Sequence, residues 1–500
     1  MKKITLLLAL LPLFSIAQWI QVGDDIDGES ANDTSGSKVA LSADGSIVAI
    51  AATQSNSAAG QIRVFEDING TWIQIGDDII GAGSGFQLGR SLSLSNDGTI
   101  VAAGAILFGT PGVPSRGHVQ VFENINGTWT QIGDDLLGIN TNDMAGSSVS
   151  LNGDGNIVAM GARFTTAGAP GNSGYVQVFE NNAGVWSQIG STIYGEAQGD
   201  SAGGDSISLN DAGNILAIGA ISNDGVNGPD SGHVRVFENI NGEWIQIGQD
   251  IDGEASMDEF GISVSLNDSG TILAIGGYFN SGITGTFSGH TRVFEYDGSA
   301  WIQLGSDIDG EAANDFSGGA VSINAAGTVL AIGAALNDGT EDGVSYGHTR
   351  IFEYTNGDWV QVGGDIDGEA ANDGSGRSVA LSANGSTIAI GARSNSGNGN
   401  NAGHVRIYHN PILSTNDIDF AQRIKLYPNP SYGTSYLELG NIFEVVNVNI
   451  YDAFGKLIAS NLYSNTDKIE LETEMLSQGI YFIKIYSQDY SQIIKLIKEK

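Results

Sequence analysis

The sequence predicts an all-β protein built from seven copies of one unit, on three observations. All seven tryptophans fall in the pattern Trp-x-Gln-x-Gly, at Trp19, Trp72, Trp129, Trp186, Trp244, Trp301 and Trp359, spaced 53, 57, 57, 58, 57 and 58 residues apart. A glycine recurs in step at Gly45, Gly98, Gly155, Gly213, Gly270, Gly327 and Gly385, and an aromatic at Phe65, Phe122, Phe179, Phe237, Phe294, Phe352 and Tyr408. Each unit carries four short strand signals separated by turn residues. Four antiparallel strands repeated at this period predict a seven-bladed β-propeller of four-stranded blades.

The chain opens MKKITLLLALLPLFSIAQ. Lys2 and Lys3 precede an apolar run too short to span a bilayer, and small residues lead to a cleavage site between Ala17 and Gln18. Residues 1–17 therefore read as a secretory signal peptide, and the mature protein as exported.

The third copy shows the expected strands in order. "GSSVSLN" (146–152) alternates at period two, and "NIVAMGA" (156–162) is an apolar run suited to a strand covered on both faces. "GYVQVFE" (174–180) alternates again, and "WSQIGSTI" (186–193) is the tryptophan strand. The recurring glycine sits in the turn after the first strand, where φ > 0 is expected. The phase of the repeat predicts closure. The first element after the signal is a lone tryptophan strand (19–26), and the last unit stops after its third strand (404–410). The N-terminal strand is expected to complete the last blade and remove a free edge. A linear solenoid, the competing architecture, calls for capping repeats that the sequence lacks.

Composition narrows the partners. Residues 18–410 hold 46 acidic and 11 basic residues, a net charge of −35, whereas residues 411–500 hold 11 and 8. Such a domain repels phosphate backbones, so nucleic acid is excluded as a partner. No cysteine is present to staple the fold.

Several segments resemble the FG-GAP repeats of integrin-α-like propellers: "FGISVSL" (260–266), "FSGGAVSI" (316–323), the "AIGA" strands at 217–220 and 331–334, and "GHVRVFE" (232–238). The resemblance spans about 390 residues. It departs at the turn where calcium-binding members carry an Asp-x-Asp-x-Asp-Gly-like loop; here "SADGS", "SNDGT", "NDAGN" and "NAAGT" offer one acid or none. A hard cation wanting six to eight oxygens is not served there.

After Asn410 composition shifts. Residues 411–424 read as linker and 425–500 as a separate domain. "YPNP" (427–430), "YDAFGK" (451–456), "LSQGIYF" (476–482) and the lysine-rich end resemble the C-terminal sorting domain of the bacterial type IX secretion system. That resemblance implies a small immunoglobulin-like β-sandwich, the type IX machinery as partner, and a product secreted or attached at the outer-membrane surface.

The stretch "DIDGEAAND" occurs at 307–315 and 365–373, with near-copies at 25–33 and 250–258. EF-hand spacing fails, because glycine stands fourth and position twelve is Gly318. The recurring final Asp reads as a turn fastener. Asp307, Asp309, Glu311, Asp315, Asp365, Asp367, Glu369 and Asp373 remain the cation candidates, with calcium as the ion. His118, His233, His290, His348 and His404 share one position that Gln61 and Tyr175 fill elsewhere, which argues for structure over ligation or catalysis. The varied loops 107–117, 222–232 and 336–347 are expected on the same face as the acidic stretches, and form the candidate binding face. No catalytic set and no cofactor motif stand out. The expectation is a surface-displayed or secreted binding and adhesion module for a protein or polysaccharide, not an enzyme. The alternative is a polysaccharide-acting hydrolase or lyase with catalytic residues in the varied loops.

Overall fold

Each repeat takes the same path because it carries the same turns. A computed structural model describes residues 19–107, 115–165, 171–339, 344–411, 424–452, 456–474, 476–486 and 491–499. The expected signal segment, its Ala17–Gln18 cleavage site and most of the linker lie outside these residues. In the third copy, strands Ala145–Leu151, Ile157–Ala162 and Tyr175–Asn182 pair antiparallel in sequence order. The turn glycine between the first two, Gly155, has φ of 70°, a left-handed conformation that favours glycine.

The tryptophan strand is shorter than the sequence predicts. It runs only over Val185–Gln188, and a separate two-residue strand, Ile193–Tyr194, pairs with the other end of the same third strand. The break falls at Gly190, where the next sheet's indole is seated. Trp244 Nε1 donates to the Ile189 carbonyl at 3.1 Å, and a Cβ on Gly190 would lie 2.8 Å from the Trp244 ring. The edge strand yields so that its neighbour can pack.

Among the described residues seven sheets of this kind are present, each with five strand segments, an arrangement consistent with a β-propeller. The only helical element described is a four-residue turn, Ser55–Ala58. First strands of successive sheets touch one another in turn, and Ser35–Leu41 of the first sheet also touches Ser378–Leu381 of the last. The N-terminal segments complete that last sheet, with Ile20 opposite His409, Gln21 opposite Tyr408 and Ile26 opposite Val405. Trp19 Nε1 donates to the Val362 carbonyl at 3.2 Å, the same bond every other tryptophan makes to its preceding sheet. The ring of sheets is therefore joined at its ends by the contacts that join its middle.

The core lies between sheets. Second strands such as Ile215–Ala220 are buried along their whole length. One cluster joins Val176 and Val178 of one sheet to Leu216 and Ile218 of the next. Each such side chain contributes about 1.5–3 kcal/mol when withdrawn from water.

Two compact units divide the chain, Met1–Asn410 and Pro411–Lys500. The second holds one five-stranded antiparallel sheet: Lys425–Tyr427, Thr434–Asp452, Leu457–Glu472, Gly479–Tyr486 and Ser491–Lys498. Its own core includes Leu437, Val448, Ile483 and Leu496. Among the described residues no helix is long and apolar enough to cross a membrane.

Candidate functional site

The acidic stretches lie at one end of the sheets and act as fasteners. Asp315 is 2% exposed, and its Oδ2 accepts from the Ala312 amide at 2.8 Å and from Asn337 Nδ2 at 3.1 Å. Asp373 does the same with Ala370 and Asn395, and Asp258 with Ala255 and Asn280. Asp307 and Asp365 accept from Gln303 and Gln361, the glutamines of Trp-x-Gln, at 2.6 and 2.7 Å. The backbone carbonyls of Asp309 and Asp367 accept from Arg350 and Arg406 of the following sheet, whose guanidinium groups also face Glu311 and Glu369. Burial and the neighbouring Asp307 and Asp365 carboxylates push Asp309 and Asp367 upward.

The four acids of one stretch do not converge. Carboxylates meet across consecutive stretches instead, around a buried histidine: Asp25, Glu369 and His404; Glu196, His233 and Asp250; Glu254, His290 and Asp307; Glu311, His348 and Asp365. Burial, and then the adjacent Arg292, lowers His290 to about 4. It is therefore neutral at pH 7. Gln61 shows what the position does, donating from Nε2 to Glu29 at 2.9 Å and to Asp78 at 2.6 Å. Gln61 thus stands between two carboxylates, as His233, His290, His348 and His404 do. Tyr175 substitutes by donating its hydroxyl to Asp143 at 3.0 Å.

The site that sequence reasoning missed lies where the ring's first strands begin. A cavity of about 200 Å³ is lined by first-strand residues of all seven sheets, from Lys38 round to Arg377. At its mouth a second cavity, about 380 Å³, collects Lys38, Arg90, Arg163, Arg377 and Arg393 together with Asp205, Glu259 and Tyr278. Those five cations are nearly half of the 11 basic residues in 18–410. Arg163 pairs with Asp205 at 3.1 Å, and Tyr278 hydrogen-bonds Glu259. Lys38 is partly buried and lines both the channel and its mouth. Burial, then Arg90 and Arg377, lowers its ammonium to about 8 against the opposing pull of Asp205.

Beside this mouth, and sharing Tyr278, Arg377 and Arg393 with it, lies a pocket of about 440 Å³ walled by Phe279, Phe316 and Leu336. Tyr278 stacks on Phe279 at 4.2 Å between ring centroids, and Phe316 meets Phe279 edge-on at 5.3 Å. Phe316 has φ of 56°, and its counterparts Thr34, Gln87, Met144, Ser201 and Glu259 are also left-handed. The position is left-handed in every repeat, with Gly374 in the seventh; of its residues Glu259 lines the mouth and Phe316 and Gly374 line the aromatic pocket.

Of the candidate loops, 222–232 reaches the mouth through Ser222, and 336–347 borders the aromatic pocket through Leu336 and Ser345. Residues 108–114 and 340–343 of loops 107–117 and 336–347 lie outside the described residues.

No curated protein sequence matches the chain. Among solved structures, Sqt1 from Chaetomium thermophilum is similar at 14% identity and a TM-score of 0.46, over 75% of this chain and 83% of that one. The periplasmic gluconolactonase PpgL from Pseudomonas aeruginosa is similar at 14% identity and a TM-score of 0.45, over 67% and 86%. Likenesses this distant say nothing about activity. Residues 425–499 match the family described as secretion system C-terminal sorting domain. The tail is that sorting domain, which implies contact with the type IX secretion machinery and export to the cell surface or beyond.

Proposed function

We propose that residues 19–410 close as a seven-bladed, FG-GAP-like β-propeller, that the tail folds as a small immunoglobulin-like sandwich, and that the exported chain is a binding module. Its ligand enters the mouth of the central channel on the face that carries the varied loops. One observation carries this reading: in a region of net charge −35, five of 11 basic side chains gather in a single cavity. Bringing like charges together costs stability, roughly 1–4 kcal/mol per pair at 4 Å depending on the local dielectric, and a ligand that neutralises them gives the arrangement a use. The cavity volumes suit a small ligand or a chain end better than a broad protein surface. The test is a glycan and peptide array probed with the full mature chain and with the double variant Arg90→Ala, Arg377→Ala. Loss of the hits in the variant supports the mouth as the site, and retention overturns it.

A second reading, an enzyme acting on an extracellular polysaccharide, is favoured by Lys38. An ammonium held at about 8 is in the range useful for acid–base chemistry. Release of new reducing ends from a polysaccharide by the native chain, abolished in Lys38→Met, would establish it.

A further inference from the structure

We propose that the ligand of this mouth is the end of an acidic glycan, with a uronate carboxylate held among Lys38, Arg90 and Arg377 and a sugar ring laid on the Tyr278–Phe279–Phe316 wall. This rests on the reading that the channel mouth is the binding site, and it names the chemical class of what binds there.

Three features of the site lead to this class. The first is unmet charge. Arg163 has Asp205, but no ion pair among the described residues reaches Lys38, Arg90, Arg377 or Arg393. The five repeated arginines (Arg63, Arg235, Arg292, Arg350 and Arg406) each face a glutamate within 4.0 Å. Apart from the exposed Arg116, the unpaired cations of this region gather at the mouth, and planar guanidinium groups suit a planar carboxylate.

The second is the adjoining aromatic wall. The two cavities share Tyr278, Arg377 and Arg393, so one ligand can meet charge and ring faces together. The wall has no counterpart in the other repeats. At the positions of Tyr278 and Phe316 the remaining copies carry Thr53, Ile106, Arg163, Ile221, Ala335 and Arg393, and Thr34, Gln87, Met144, Ser201, Glu259 and Gly374. A sugar presents an apolar C–H face to an aromatic ring and its acid at the edge.

The third is the surrounding charge. With a net of −35 around it, the mouth sits in a field that repels a long polyanion laid across the face. A terminal unit entering the cavity meets the cations while the rest of the chain stays in water. Affinity is then set by the terminal two or three residues and does not grow with polymer length.

The experiment is calorimetric titration of the full mature chain with trigalacturonate, its methyl ester, a neutral trisaccharide and a sulfated trisaccharide. Trigalacturonate is expected to bind at least ten-fold tighter than its ester or the neutral sugar. Arg90→Ala and Tyr278→Ala should each weaken it at least ten-fold while the chain still unfolds in one cooperative transition. Affinity in the native chain should fall as pH rises through about 8, where Lys38 loses its proton, and this step should be absent in Lys38→Met. Equal binding of acid and ester overturns the proposal. So does preference for the sulfated sugar; if that binding is also lost in Arg90→Ala, the mouth stands as the site and only the ligand class fails. Uronate binding that survives both alanine variants overturns the site as well.

Discussion

Two sets of arginines in the repeat region are treated in opposite ways. Arg350 and its four equivalents recur at one strand position, each donating to a backbone carbonyl of the preceding sheet at 2.5–2.7 Å and lying 5.2–5.5 Å from an aromatic ring of its own strand. Arg90 and Arg377 share one column of the repeat and Arg163 and Arg393 another, each column filled by other residues in the remaining copies; the four converge on one cavity and, apart from Arg163, have no carboxylate partner among the described residues. The contrast separates fastening from function. A charge repeated in sheet after sheet is satisfied locally and holds the ring together. The charges at the mouth have no such local fastener, and the proposed ligand is what would answer them.

The fastened ring should be the more fragile of the two under mutation. Deleting residues 19–27 removes both N-terminal segments of the last sheet, with buried Trp19 and Ile26. At about 1.5–3 kcal/mol for each buried side chain, the loss is about 3–6 kcal/mol before the exposed strand edge is counted. Urea denaturation of the full chain measures it. A midpoint within error of the native chain would break the fastened half of the comparison.

Single arginines should then separate the two sets by sign. Arg350→Met leaves the Asp309 carbonyl and Glu311 without their buried donor and is expected to destabilise by about 2 kcal/mol. Arg377→Met relieves repulsion at the mouth and is expected to stabilise by roughly 0.5–1 kcal/mol at low salt, fading as salt rises. Equal losses from both variants would mean that the mouth is structural too.

A third outcome concerns pH. His290 titrates at about 4 when folded and near 6.5 when unfolded, so between those values the unfolded chain binds more protons. Stability therefore falls as pH drops from about 6.5 to about 4. Glu254, which faces the same ring, opposes this. Its folded value is raised, chiefly by burial, so its penalty is relieved as pH falls. His290→Gln, which copies the natural Gln61 arrangement, should flatten the stability curve over that interval. An unchanged slope would show that the buried histidines do not set it.

Much of the fastening was legible in the sequence. Trp19, Gly155 and the lone N-terminal strand follow from the period, because period, turn chemistry and burial are local signals. The gap in the tryptophan strand was not legible, since Gly190 is shaped by Trp244 from the neighbouring sheet. The mouth was hidden for a similar reason. Lys38, Arg90, Arg163, Arg377 and Arg393 are scattered over 356 positions of sequence and occupy the variable columns of the repeat. Aligning the copies on their turn glycines marks Arg90 and Arg377 in one column and Arg163 and Arg393 in another. Only closure of the ring brings those columns to one point. The final Asp of each acidic stretch was legible as a turn fastener, but the carboxylates that meet do so across stretches, around histidine, which no single stretch reveals.

The smallest expected effect bears on those stretches. A calcium site of micromolar affinity, in millimolar calcium, would add about 4 kcal/mol by mass action, because binding only the folded state shifts its stability by RT ln(1 + [L]/Kd). The geometry gives little room for it. Asp315 directs Oδ2 at Ala312 and Asn337, Asp307 accepts from Gln303, and Glu311 faces Arg350. Each cross-stretch group offers two carboxylates and one imidazole, a poor match for an ion that takes six to eight oxygens. Calcium and magnesium at equal ionic strength should therefore raise the melting temperature alike, both by screening a domain of net charge −35. A rise specific to calcium, abolished by Asp307→Asn together with Asp309→Asn, would show that the acidic stretches bind an ion, and that repetition around the ring marks a set of sites as well as a set of fasteners.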